Sequence, residues 1–385
     1  MGRIPGASKR IQVEHNDDTQ GPYPTAGARK LSHNNYTVGW ICALPLELAA
    51  AKVMLDEIHP NLPISSNDCN TYTLGRIGVH NVVVACLPSG KYGTTSAAIV
   101  ASHLLSSFDS IRLGLMVGIG GGVPGKDADI RLGDVVVSKP DKRFGGVVQY
   151  DYGKTVKGGR FEQTGTLDKP PQALLTAIAK LQADHMVDGS RIPTYLSEIK
   201  RRTKMSSFTH RGQEQDRLFQ AKYDHVGSGN TCGDCDLGKL VARSARAADE
   251  PVVHYGLIAS GNQVMKHGTT RDRLAQELGV LCFEMEAAGV MDDFPCLVIR
   301  GICDYADSHK NKQWQEYAAA TAAAYAKEIL SVTHIQQVAE MGTVKAGELW
   351  VSKCGQRRPV FDVLSRTCLK SCSVAYAYKF LRAPE

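Results

Sequence analysis

The sequence predicts an α/β domain over roughly residues 36–332. Three observations carry this expectation. Apolar runs of strand length recur along the chain and alternate with amphipathic or alanine-rich stretches of helix length. Glycine-rich segments follow several of those runs directly, as in sheets whose ligands bind beyond the carboxyl ends of the strands. A hydrophobic content of 43% supports a buried core, while no run of eighteen apolar residues offers a membrane span.

Taken in order, residues 1–34 are polar and rich in Gly and Pro, and read as a flexible tail. Residues 37–44 (Thr-Val-Gly-Trp-Ile-Cys-Ala-Leu) form a buried-strand pattern that Pro45 breaks, and a helix is expected over 46–58. A second strand is expected over 81–87 and a helix over 95–106. The third strand, 112–118, is expected to end in a glycine loop, Gly118-Ile119-Gly120-Gly121-Gly122. Further strands fall at 134–138, 252–260 and 296–302, and an Ala-rich closing helix at 318–330. Residues 185–250 are polar and weakly periodic, with a basic run at 200–204, and read as an insertion. Residues 336–385 read as a basic appendage. Its part from 345 onward holds eight Lys/Arg and three Asp/Glu, or +5 of the chain's +6. The body is therefore near neutral, so charge offers no case for a nucleic-acid partner.

The eleven Cys are odd in number, and several lie inside apolar runs, which suits reduced thiols. With no apolar signal core at the N-terminus, a cytoplasmic location is expected.

The chemistry concentrates in a few places. In Phe283-Glu284-Met285-Glu286-Ala287-Ala288-Gly289 two carboxylates flank one Met, beside small residues that allow close approach. A carboxylate such as Glu286 can accept paired hydrogen bonds from a ribose 2′,3′-diol; Glu284 could equally be a helix-start acid. Asp304 closes the strand Leu297-Val298-Ile299-Arg300-Gly301-Ile302-Cys303 and suits a general acid at N7 of a leaving purine. Glu47, just past the first strand, could activate water on the opposite face of the sugar, a division of labour also used in glycoside hydrolysis. The loop Pro88-Ser89-Gly90-Lys91-Tyr92-Gly93-Thr94-Thr95-Ser96 offers backbone N–H groups and hydroxyls to an anion or sugar. It lacks P-loop spacing. The Gly118–Gly122 run lacks the acidic partner of a dinucleotide fold, so no nicotinamide cofactor is expected. Cys232-Gly233-Asp234-Cys235 stands without a second pair at zinc spacing. His225 and His254 could in principle join it, and no metal is assigned.

These motifs, in this order, resemble the nucleoside phosphorylase/nucleosidase superfamily, and the chain is similar to the phosphorylase-like domains of fungal multidomain proteins. The resemblance implies a three-layer α/β fold with a mixed, twisted central sheet partly closed into a barrel and flanked by helices. It implies Glu286 as the ribose carboxylate, Met285 beneath the sugar, Asp304 as the purine acid and Glu47 as the water-activating acid. Ser89, Gly90 and Thr94 fall in the phosphate or water loop, Gly120 in the glycine segment, and Tyr150 or Tyr152 at the base-stacking position. Asn262 stands where nucleosidases usually carry Asp, which implies altered support for Asp304. Phosphorylases usually place an Arg near the first strand's loop; residues 43–51 contain none. The expectation is therefore a purine nucleosidase, most simply for an adenine nucleoside or nucleotide, releasing free base by water attack at C1′. The alternatives are a phosphorylase, with inorganic phosphate as co-substrate, and a degenerate nucleoside-sensing module. No cofactor is expected, and a homo-oligomer from dimer to hexamer is.

Overall fold

The computed structural model describes residues 31–125, 128–202, 206–229 and 231–344. Most of the N-terminal tail, most of the basic appendage, and Thr203 and Lys204 of the basic run lie outside them.

The elements follow from apolar runs punctuated by Pro, Gly and polar turns. Strand β1 (Val38–Cys42) is buried on both faces and leads to α1 (Pro45–Met54), where Pro45 opens the helix without losing a needed donor. That helix ends earlier than expected, because Glu57–Ile58 form a short strand, β2. β2 pairs with β3 (Tyr72–Ile77), which pairs in turn with β4 (His80–Cys86). Helix α2 (Thr94–Ser107) follows, then β5 (Leu113–Gly122), β6 (Val135–Ser138), β7 (Val147–Gln149) and a small hairpin of β8 (Gly153–Thr155) and β9 (Phe161–Gln163). Helices α3 (Gln172–Asp188) and α4 (Ile192–Arg202) precede β10 (Val253–Ser260), α5 (Gly268–Leu278), β11 (Val280–Glu284), β12 (Cys296–Asp304), α6 (Gln315–Val332) and α7 (Ile335–Glu340).

Among the described residues a ten-stranded mixed sheet runs β11-β10-β6-β12-β5-β1-β4-β3-β2, with β7 on β10. β11 pairs with β10 on one side and with β5 on the other, so five strands close on themselves and the sheet is partly a barrel. One apolar cluster packs α1, α3, α4 and α6 against one face, and a second packs α2 against the other. The expected three-layer, partly closed mixed sheet is thus what forms. No described helix is long and apolar enough to cross a membrane.

Two expectations are corrected. Residues 118–122 are not a loop but the end of β5. Glycine is poor in strands, yet a Cβ on Gly118 would lie 2.5 Å from Glu47 Oε1 and 2.6 Å from Arg300 Nη1, and one on Gly121 would lie 2.7 Å from Asp304 Oδ1. The glycines make room for charged side chains. The stretch 185–250 contains the regular helix α4, whose Ile192, Tyr195 and Ile199 are buried against the domain.

Candidate active site

The site is built where β1, β5, β11 and β12 end. At the start of α1, Glu47 sits three positions past the cap and curls back: its Oε2 accepts from the Ala43 and Leu44 amides at 2.7 and 2.9 Å. Its Oε1 accepts from the Ile119 amide of β5 at 2.8 Å. Gly93, with φ +97°, opens α2 and donates its amide to Glu286 Oε1 at 3.2 Å. A positive φ of this kind favours glycine. The two helix N-termini thus each hold one of the candidate carboxylates, where the helix dipole favours negative charge.

Glu284, at the end of β11, accepts from the Glu286 and Ala287 amides at 3.1 and 3.0 Å. It is also paired with Arg300 Nη2. The same nitrogen lies 3.7 Å from Glu286 Oε2, while Arg300 Nη1 and Glu47 Oε1 both stand over Gly118. Arg300 is 1% exposed and is the residue sequence reasoning missed. Its signal was available: a lone cation in an otherwise apolar buried strand demands buried carboxylate partners.

Three carboxylates therefore share one guanidinium in a dry environment. Burial raises the Glu47 carboxyl above its usual range, against the pull of Arg300 and three backbone amides. Burial, reinforced by Glu284 and Glu47, raises Glu286 to about 7 despite Arg300 and the Gly93 amide. Burial tends to lower the Arg300 guanidinium, but the three carboxylates outweigh it and hold it charged.

Asp304 lies at the end of β12, after a bulge at Cys303 that pairs Asp304 with Gly121. Its Oδ1 accepts from the Ala306 amide at 2.9 Å, and its Oδ2 from Lys310 Nζ at 2.7 Å. Burial depresses the Lys310 ammonium, but Asp304 more than compensates, and its pKa stays above the ordinary lysine value. Asp304 sits over Gly121 and Glu47 with Arg300 over Gly118, three residues apart or about 10 Å along β5. Asp304 also lines a cleft with Arg217 and Cys232 of the 185–250 stretch. Glu47, Glu284 and Glu286 thus form one cluster, and Asp304 stands along the strand from it with a different cation.

The remaining candidates scatter. Met285 is half-buried between the two glutamates, and Gly120 is buried against Arg300. Ser89 and Gly90 are exposed in the loop before α2. Asn262 does not support Asp304: its Oδ1 accepts from the Thr94 amide at 3.0 Å, its Nδ2 donates to Thr94 Oγ1 at 2.9 Å, and its own amide donates to Asp151 at 2.7 Å. It therefore fastens the start of α2 beside Glu286. Tyr150 is buried, donates to the Gln263 carbonyl at 2.8 Å and meets Phe283 edge-on. Tyr152 is 61% exposed. Of the basic run, Arg202 donates to the Val53 carbonyl at 2.6 Å, at the end of α1 opposite Glu47. His254 pairs with Asp134 at 2.9 Å and is not among the donors gathered at the cysteine pair.

The site thus sets carboxylates on helix N-termini around the ends of a partly closed sheet. The chain is a member of the phosphorylase superfamily, whose family model matches residues 37–334. It is 49% identical over 303 residues to a nucleotide-binding leucine-rich repeat (NLR)-like protein of Hyaloscypha variabilis, a match covering 78% of this chain and 30% of that protein. It is 27% identical to a 5′-methylthioadenosine/S-adenosylhomocysteine nucleosidase of Mycobacterium bovis, across 76% of this chain and 95% of the relative. It is also 27% identical to the ATP nucleosidase Cap17 of Escherichia coli, across 74% of this chain and 48% of that protein. Among solved structures, a futalosine hydrolase of Helicobacter pylori shares the fold with a TM-score of 0.50 at 17% identity, covering 78% of this chain and 99% of that one. Two of these relatives are thus nucleosidases, and a third is an NLR-like protein.

Proposed function

We propose that this chain hydrolyses the N-glycosidic bond of a purine nucleoside or nucleotide, most simply an adenine one, with water as nucleophile. In this reading Glu286 grips the ribose diol, and Glu47 takes the proton of a water held between its Oε1 and Arg300. Asp304 supplies the proton to the departing purine. For this, Lys310 releases the Asp304 carboxylate, which takes up a proton from solvent before each turnover. Ser89, Gly90, Thr94, Met285, Gly120 and Asn262 shape the sugar side, and Tyr150 or Tyr152 the base side.

The observation that carries hydrolysis over phosphorolysis is the charge count around Arg300. Glu47, Glu284 and Glu286 surround a single guanidinium already engaged by Glu284. A phosphate dianion placed there would meet net repulsion from buried carboxylates, an interaction of several kcal/mol at short range in a poorly screened site. Neutral water meets none. The similarity to two nucleosidases points the same way.

The test is incubation of the purified chain with adenosine, inosine, 5′-methylthioadenosine, AMP and ATP, with and without phosphate, reading free base by mass spectrometry. Base released without phosphate is the expected result. Release that requires phosphate selects the phosphorylase, and intact substrates throughout refute both enzymes. Similarity to the NLR-like protein supports a second reading, a purine-sensing domain within a longer protein. Purine binding measured by calorimetry without turnover would select it. The reading also includes a homo-oligomer, to be checked by light scattering.

A further inference from the structure

Outside the carboxylate cluster, the 185–250 stretch brings together side chains that the proposed reaction does not use. Ligand atoms of His225, Cys232 and Cys235 all lie within 4.8 Å of one another. Cys235 is buried and the other two are half-buried. Next to them, but outside that 4.8 Å group, stands His309, from the loop after Asp304, its ring stacked on Phe219 with centroids 4.1 Å apart. It is 6% exposed, and neither of its ring nitrogens has a hydrogen-bond partner. A buried imidazole left without partners is costly, and such a group calls for an explanation. The His225 and His309 ring centres are 5.7 Å apart, and the Cys232 thiol lies 3.8 Å from the His309 carbonyl oxygen.

We propose that His225, Cys232 and Cys235 bind one zinc ion, with the His309 imidazole turning in as the fourth ligand. The donor set, two sulfurs and two imidazoles, selects a tetrahedral soft-to-borderline ion of this kind. Metal–sulfur bonds of about 2.3 Å put tetrahedral sulfurs about 3.8 Å apart, so the thiols need shift by about 1 Å at most. Two imidazoles on one tetrahedral ion, bonded at about 2.0–2.1 Å, have ring centres about 5 Å apart, close to the separation here. The outer contacts also suit ligation. His225 Nε2 lies 3.1 Å from the Thr231 carbonyl, which leaves Nδ1 for the metal. His309 Nδ1 faces Asp307 Oδ1 at 3.6 Å, beyond hydrogen-bond reach, and Nε2 is the nitrogen left for the metal. A carbonyl partner such as that of His225 orients a metal-bound histidine.

The ion would tie two distant parts of the chain together. His225, Cys232 and Cys235 come from the 185–250 stretch, and His309 from the loop whose next residue, Lys310, pairs with Asp304. With His309 turned in, all four positions are filled by protein, so the role is structural: the ion pins the stretch over the cleft that Asp304 lines.

The test uses the full chain, expressed with zinc supplementation. Elemental analysis should find about one zinc per chain. Chelator-stripped protein titrated with Co²⁺ should develop thiolate-to-cobalt charge transfer and intense tetrahedral visible bands. Cys232→Ser and Cys235→Ser should each abolish the charge-transfer signal or weaken binding at least 100-fold. His309→Ala should weaken it 10- to 100-fold and reduce the tetrahedral intensity. Should a variant be insoluble, the wild-type cobalt spectrum still decides. A chain with no zinc and no cobalt spectrum, or a Cys232–Cys235 disulfide in freshly purified protein, overturns the proposal. Unchanged cobalt affinity and spectrum in His309→Ala overturns the fourth ligand.

Discussion

Replacing Glu286 by Gln should make this protein more stable above neutral pH while impairing its function. Glu286 is 6% exposed, and its carboxyl is raised from 4.5 to about 7 by burial and by Glu284 and Glu47, net of Arg300 and the Gly93 amide. The sign follows from linkage. A carboxyl whose folded pKa exceeds its unfolded one contributes stability fully below about 4.5, and that contribution is lost as pH rises through about 7. Within that window the native state holds a proton that the unfolded state has released, so stability falls by about 1.4 kcal/mol per pH unit from this group alone. The displacement of about 2.5 units amounts to about 3 kcal/mol at pH 8. Gln is an uncharged isostere that can still accept from the Gly93 amide, so Glu286→Gln should lie within about 1 kcal/mol of the wild type at pH 5. It should exceed the wild type by about 2–3 kcal/mol at pH 8. Urea denaturation of both proteins from pH 5 to 8.5 measures the difference. The amide also loses the charged grip on a sugar diol, so base release should fall sharply. Equal stability of the two proteins across the whole range would refute the charge balance described around Arg300.

Three other outcomes are expected. The value of kcat/KM for base release should fall about tenfold per pH unit below about 7, as Glu286 takes up a proton; a profile flat down to pH 5 would count against its sugar role. Glu47→Gln and Asp304→Ala should each lower kcat about 10²–10⁴-fold while purine binding, followed by calorimetry, persists; wild-type turnover in either removes that residue from the reaction. Gly118→Ala should cost about 1–3 kcal/mol in urea denaturation, since its Cβ would intrude between Glu47 and Arg300, and a neutral result would mean that the two can move apart freely.

Much of the scaffold was readable because buried parallel strands leave continuous apolar runs. β1, β4 and β12 lie within one or two residues of expectation at most of their ends. β3 escaped notice because Tyr72–Ile77 mixes Thr, Gly and Arg with its apolar residues, as a strand near the sheet edge can. The β5 glycines read as a breaker because their demand for space comes from Glu47, Arg300, Asp304 and Phe283, all remote in sequence. Arg300 was passed over for the same reason: Glu47 is some 250 residues away from it. Asn262 was tied to Asp304 by family habit, whereas its contacts are Thr94 and Asp151.

By itself the sequence determined the fold class, the family and the three acids worth testing, because each is written in local runs and short motifs that survive without knowledge of neighbours. Only the tertiary structure decided how those acids are neutralised. Arg300 is shared among Glu47, Glu284 and Glu286, Lys310 is reserved for Asp304, and His309 is brought beside His225 and Cys232. The physical reason is that Coulomb energy and desolvation depend on distance in space and on exclusion of water. Both are set by which strand ends and helix starts meet, not by separation along the chain.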